Sequence, residues 1–162
     1  MSLSVSRVCS FFPDRPAATR EMYRGLAPGG KLVLSVWRGI ERSPGFAILA
    51  QALTSHVSPE AGALLKSGPF GLSTTEELRD LIAGAGFKDI SIRGAAKVLR
   101  YPSSDEFVLR YAAGSALAAA VANLGDDART ALLAEVAERL QPYVQEQELA
   151  FPIDSNIAAA RR

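Results

Sequence analysis

Residues 31–37 read Lys-Leu-Val-Leu-Ser-Val-Trp and follow directly on Pro28-Gly29-Gly30. A nearly continuous apolar run of this length, opened by a turn, fits a strand covered on both faces. Ahead of the turn, Ala18, Met22 and Leu26 recur at a spacing of four, with Arg20, Glu21 and Arg24 mostly off their face. That pattern predicts a helix over residues 15–27. Asp14 suits its N-cap, and Pro16 sits in the first turn, where its missing N–H costs nothing. Before the helix, residues 5–12 hold β-branched and aromatic side chains and read as the end of a buried strand. Strand, helix, tight turn and strand make a βαβ unit, which implies parallel strands joined by a right-handed crossover. The chain is therefore expected to be α/β.

The later periodicities extend this frame. Phe46, Leu49, Ala50 and Leu53 predict a helix over 46–57, and a short one is expected around 61–66. Ser73-Thr74-Thr75-Glu76 reads as a capping box, opening a helix that carries Leu78, Leu81, Ile82 and Ala85 inward and ends at Gly86. Residues 89–100 read as a strand in which Gly94 suggests a bulge or bend. Ser103 and Glu106 form a second capping box, before Phe107, Val108 and Tyr111. Residues 112–125 are rich in small side chains and read as a loose helix or a mobile cover. A helix from Asp126 carries Leu132, Leu133, Val136 and Leu140 inward and should stop or kink at Pro142. Leu149, Phe151, Ile153 and Ile157 mark a closing strand over 149–160, expected to be antiparallel to its neighbours.

Composition narrows the function classes. The chain has 162 residues, 48% of them hydrophobic and 22% charged, which suits one globular domain and excludes a disordered one. A net charge of +1 gives no global field for nucleic acid or an anionic membrane. Arg161-Arg162 is the one basic pair and reads as a solvated tail. A single cysteine, Cys9, and a single histidine, His56, exclude an internal disulfide and a zinc cluster. Cys9 reads as a buried small hydrophobe and His56 as a helix-end histidine rather than a general base. No apolar stretch reaches the roughly 18 residues of a membrane span, and no long apolar run opens the chain. A cytoplasmic protein is the expectation.

Phe11-Phe12-Pro13-Asp14-Arg15, Arg20-Glu21-Met22 and Leu26-Ala27-Pro28-Gly29-Gly30-Lys31 through Trp37 resemble class I, Rossmann-like, S-adenosylmethionine-dependent methyltransferases. Those similar to ubiquinone/menaquinone methyltransferases resemble it most. Glu76-Glu77-Leu78 and Ala85-Gly86-Phe87, a helix closing on Ala-Gly-Phe before a strand, add to the match. The resemblance runs from about Phe11 onward. It implies the C-terminal half of a methyltransferase sheet with flanking helices: a single partial domain over residues 1–162, without the cofactor-loop half. Methyl transfer from S-adenosylmethionine to a small-molecule acceptor is the activity it implies for a full-length parent.

That first half of the family places a Gly-x-Gly loop after a strand, where glycines let the backbone approach the cofactor, and an acidic residue for the ribose hydroxyls. Here Gly84-Ala85-Gly86 closes a predicted helix, and Gly29-Gly30 precedes a strand instead of following one. The chain alone is therefore expected to be inactive and to bind no cofactor. By distance from Phe11-Phe12, the resemblance puts the methionine end of S-adenosylmethionine near Ser6 and Arg7. Ligands of open α/β sheets lie beyond the carboxyl ends of the strands. Phe11, Phe12, Trp37 and Arg38 are accordingly the candidates for binding the acceptor. An interaction module is the alternative: the first strand, left without an outer partner, would expose an edge that a second copy can pair with, giving a homodimer.

Overall fold

The computed structural model describes residues 12–162 and the backbone of residues 2–6. Its elements are β1 (Ser2–Ser6), α1 (Arg15–Gly25), β2 (Lys31–Trp37), α2 (Pro44–His56), α3 (Pro59–Ser67), α4 (Thr75–Gly84), β3 (Lys88–Tyr101), α5 (Ser104–Ala113), α6 (Ala118–Ala122), α7 (Asp126–Leu140), β4 (Val144–Gln145) and β5 (Glu148–Arg161). The protein is α/β, a mixed sheet with flanking helices. The strand order is β1-β2-β5-β3, with β4 pairing β5. β1 and β2 are parallel, as the βαβ reading requires, while β5 runs antiparallel to β2 and to β4. β1 ends the order on one side, so among the described residues its outer edge carries no strand.

The chain divides into two compact units. The first holds residues 1–42, 68–96 and 154–162. Its core is built on alternate residues of the β2–β5 pair. Leu32, Leu34 and Val36 stand opposite Ala160, Ala158 and Asn156, and all six are buried. Leu26, Leu72, Leu78, Ile82 and Phe87 close over the apolar members of that face. α4 begins one residue later than expected: Thr74 is the N-cap and Glu77 its capping-box partner. Gly86, at φ +101, then turns the chain into β3, in a left-handed conformation that a side chain would strain. β3 runs through Gly94 as one 14-residue strand, which covers the expected range 89–100.

The expectation of a solvated C-terminal tail is overturned. Arg161 belongs to β5, opposite Lys31. The Arg162 backbone clamps the Pro-Gly-Gly turn, accepting from Gly29 N at 3.1 Å and donating to Gly30 O at 2.9 Å. Its guanidinium donates to the carbonyls of Arg24 and Leu26 and covers the Tyr23 ring, 4.8 Å from the centroid. A cation there satisfies carbonyls that the end of α1 leaves unpaired and complements the negative end of its dipole.

The second unit comprises residues 43–67 and 97–153. Phe46, Phe107 and Phe151 are fully buried and meet edge to face, with centroids 5.0–5.9 Å apart. A methyl group on Gly45 would collide with the Phe151 ring, so glycine is what lets the start of α2 approach it. Gly62 does the same for α3, since a Cβ there would lie 2.6 Å from the Ala50 carbonyl oxygen. α7 presents Leu132, Val136 and Leu140 inward and ends just before Pro142. Of residues 112–125, expected to form a loose helix or cover, only Ala118–Ala122 forms a separate helix, α6. Among the described residues no helix is long and apolar enough to cross a membrane.

Candidate acceptor site at the end of β2

β2 ends at Trp37 because the apolar alternation gives way to Arg38-Gly39. Pairing continues one step further: Arg38 N donates to Asp154 O at 3.0 Å, which sets Arg38 directly across from Asp154. Residues paired across antiparallel strands point to the same face. Arg38 and Asp154 accordingly share one, and their side chains form an ion pair at 3.9 Å. Arg42, from the turn that follows, reaches the same Asp154 carboxylate oxygen at 3.6 Å. Arg38 and Asp154 keep 29% and 20% of their side-chain surface, so this cluster is a rim rather than a core. The Arg38 guanidinium passes over Gly94, whose missing Cβ would sit 3.3 Å from its nitrogen. A larger residue there would crowd the arginine. Trp37 is half-buried, and its ring lies 4.9 Å from that of buried Phe70, tilted by 35°.

The expected site residues fare unequally. Trp37 and Arg38 flank the end of β2, one on Phe70 and the other on Asp154. Ser6 is the last residue of β1, opposite Ser35. Phe12 is half-buried and outside any helix or strand. Arg7, Cys9 and Phe11 lie outside the described residues. Arg42 and Asp154 were not anticipated. Asp154 follows Arg38 by more than a hundred positions, and only the β2–β5 register brings the two together.

Elsewhere among the described residues, the single histidine is engaged structurally. In the second unit, His56 Nε2 lies 2.8 Å from Glu135 Oε2, clasping the end of α2 to α7, while Arg139 donates to the other carboxylate oxygen at 3.0 Å. The hydrogen bond with His56, seconded by Arg139, holds the Glu135 carboxyl below its ordinary value against the opposing effect of burial. A lowered value means stability that is present above the ordinary carboxylate range and lost as pH falls through the lowered one. Glu135→Gln should therefore destabilise the protein modestly at pH 7, by about 1 kcal/mol for a half-buried pair near the surface. The difference should vanish in denaturation curves taken near pH 3, and a difference constant with pH would refute the linkage. Burial, with a smaller contribution from Tyr101, pushes the Tyr111 phenol up to about 12, so it keeps its proton at neutral pH. Arg100, Gln145, Glu146 and Glu148 line a hollow of about 520 Å³, all of them exposed around the β4–β5 hairpin.

Among the described residues no Gly-x-Gly triplet follows a strand. The only Gly-x-Gly triplet closes α4 and precedes β3, with Gly86 turning the chain rather than cradling a ligand.

No protein-family model matches the chain, and no curated protein matches it. Solved methyltransferase structures do resemble it. A putative methyltransferase of Bacillus halodurans C-125 superposes with a TM-score of 0.50 at 15% identity, over 99% of this chain and 63% of its own. Phosphoethanolamine N-methyltransferase 2 of Haemonchus contortus, in complex with phosphomonomethylethanolamine and S-adenosylhomocysteine, gives 0.46 at 18%, over 99% and 33%. The plantazolicin methyltransferase, solved with a triazolic analogue and S-adenosylhomocysteine, gives 0.40 at 15%, over 99% and 52%. At these identities the likeness is one of fold. The chain spans from a third to just under two thirds of the length of these proteins.

Proposed function

We propose that this chain is the C-terminal, acceptor-side part of a class I methyltransferase whose full-length form transfers a methyl group from S-adenosylmethionine to a small molecule. The observation that carries the reading is the β1-α1-β2 unit continued into antiparallel β5, with a polar and aromatic cluster at the carboxyl end of β2. That end is where open α/β sheets hold ligands. The likeness of fold to a putative methyltransferase supports it. The cofactor would bring the reactive methyl. Trp37 and Arg38 would hold the acceptor, Trp37 through its ring face and Arg38 as a hydrogen-bond donor. Ser6, at the carboxyl end of β1, would border the cofactor's methionine end together with Arg7, and Phe11 and Phe12 would border the acceptor.

The experiment is methyl transfer by the full-length parent, followed with radiolabelled S-adenosylmethionine against a panel of small-molecule acceptors. Transfer that disappears when residues 1–162 are deleted supports the reading. A parent whose upstream sequence encodes no strand, glycine loop and helix would remove it.

A further inference from the structure

We propose that the end of β2 binds an oxyanion, so that the acceptor carries a carboxylate or phosphate group. This rests on the acceptor-side reading above for its biological meaning but not for its test. Among the described residues, Asp154 is the one carboxylate within ion-pair distance of Arg38 and of Arg42. Two guanidinium groups share a single negative charge. Neither reaches it at hydrogen-bond distance, since the approaches are 3.9 and 3.6 Å. A guanidinium has five N–H donors arranged to grip planar oxyanions. Here both forks keep donors to spare. Glu41, which lies between them in sequence, folds its carboxylate against Gly39 and pairs with neither arginine among the described contacts.

An independent observation lies on the same face. Asn156 stands two residues beyond Asp154 on β5, about 7 Å along a strand, and alternation gives both side chains one direction. Asn156 is 2% exposed, and its amide nitrogen has no hydrogen-bond partner. A buried donor left unpaired is costly unless something supplies an acceptor. Arg42 is exposed, Arg38 partly buried and Asn156 buried, and Asn156 lies one step along β5 from Asp154 on the same face. Asp154 is the internal counter-ion that an incoming oxyanion would displace.

Binding is followed through the side-chain N–H resonances of Arg38, Arg42 and Asn156. The 162-residue protein is titrated with sodium acetate and, separately, with sodium phosphate, at ionic strength held constant with sodium chloride and without S-adenosylmethionine. A saturable change at millimolar concentration is expected for at least one of the two, and the one that saturates earlier identifies carboxylate or phosphate as the source. Arg38→Gln and Arg42→Gln should each weaken it about tenfold, and Asp154→Asn should tighten it at least threefold by removing the competing carboxylate. Circular dichroism confirms that each variant folds. Should Arg38→Gln not fold, Arg42→Gln and Asp154→Asn carry the test. A linear response, one equal to that of chloride, or one unmoved by the variants that fold would overturn the proposal. Because no cofactor is present, that failure would leave the methyltransferase reading untouched, and an inactive parent would leave the oxyanion site untouched.

Discussion

Phe151→Ala is expected to lower the unfolding free energy of the second unit by about 3–5 kcal/mol, the range for large aromatic truncations in a core. Phe151 is fully buried and touches Phe46, Phe107 and Tyr101, the last in a near-parallel stack at 6.2 Å. The cost falls at the upper end of what burial alone gives because the cavity cannot collapse. The neighbour on one side is Gly45, which has no side chain to move into the space. Aromatic edge contacts are lost besides the apolar area. The change reads out as a fall in thermal midpoint on the order of 10 °C, or as an earlier urea transition followed by circular dichroism. A loss below about 1 kcal/mol would mean that the Phe46–Phe107–Phe151 cluster is not the packing centre of its unit.

The second large effect concerns turnover. In the full-length parent, Trp37→Ala should reduce turnover about 100-fold, the scale on which misplacing a reactant by an ångström acts. Stability should fall by only about 1–2 kcal/mol, because the indole is half-buried. Phe70, the partner of the Trp37 ring, is buried and stays in place as the floor of the gap. Turnover and thermal midpoint measured on the same preparations separate the two effects. If activity falls only in proportion to the unfolded fraction, Trp37 is a packing residue and the acceptor lies elsewhere.

How far the sequence disclosed this molecule follows from the range of the forces involved. β2 was legible to the residue, 31–37, because a near-continuous apolar run and a Pro-Gly-Gly turn are local signals. The parallel β1–β2 pair and the antiparallel closing strand followed from connection length and pattern alone. The cap of α4 was misread by one position because two overlapping frames compete, Ser73 with Glu76 and Thr74 with Glu77. The helix start settled on the second. β1 begins earlier than residues 5–12 suggested, at Ser2, and residues 7–11 of that expected strand lie outside the described residues. Arg162 was taken for a solvated end because its partners, Tyr23, Arg24 and Leu26, lie more than 130 positions away. The site divides the same way. Trp37 and Arg38 were visible from their place at a strand end. Asp154 and Asn156 join them through the register of β2 against β5, which no local pattern encodes, and Arg42 through the turn after β2.

The proposed role of this chain is to supply the acceptor side of a methyltransferase fold and not the cofactor side. Isothermal titration calorimetry of S-adenosylmethionine, and of S-adenosylhomocysteine, into the purified 162-residue protein tests it most directly. No binding heat beyond dilution is expected at ligand concentrations up to about 1 mM, corresponding to binding weaker than about −4 kcal/mol. The single Gly-x-Gly triplet caps α4 instead of following a strand. Saturable binding with a micromolar dissociation constant would contradict it, and would show that residues of this chain form a cofactor site without a glycine loop.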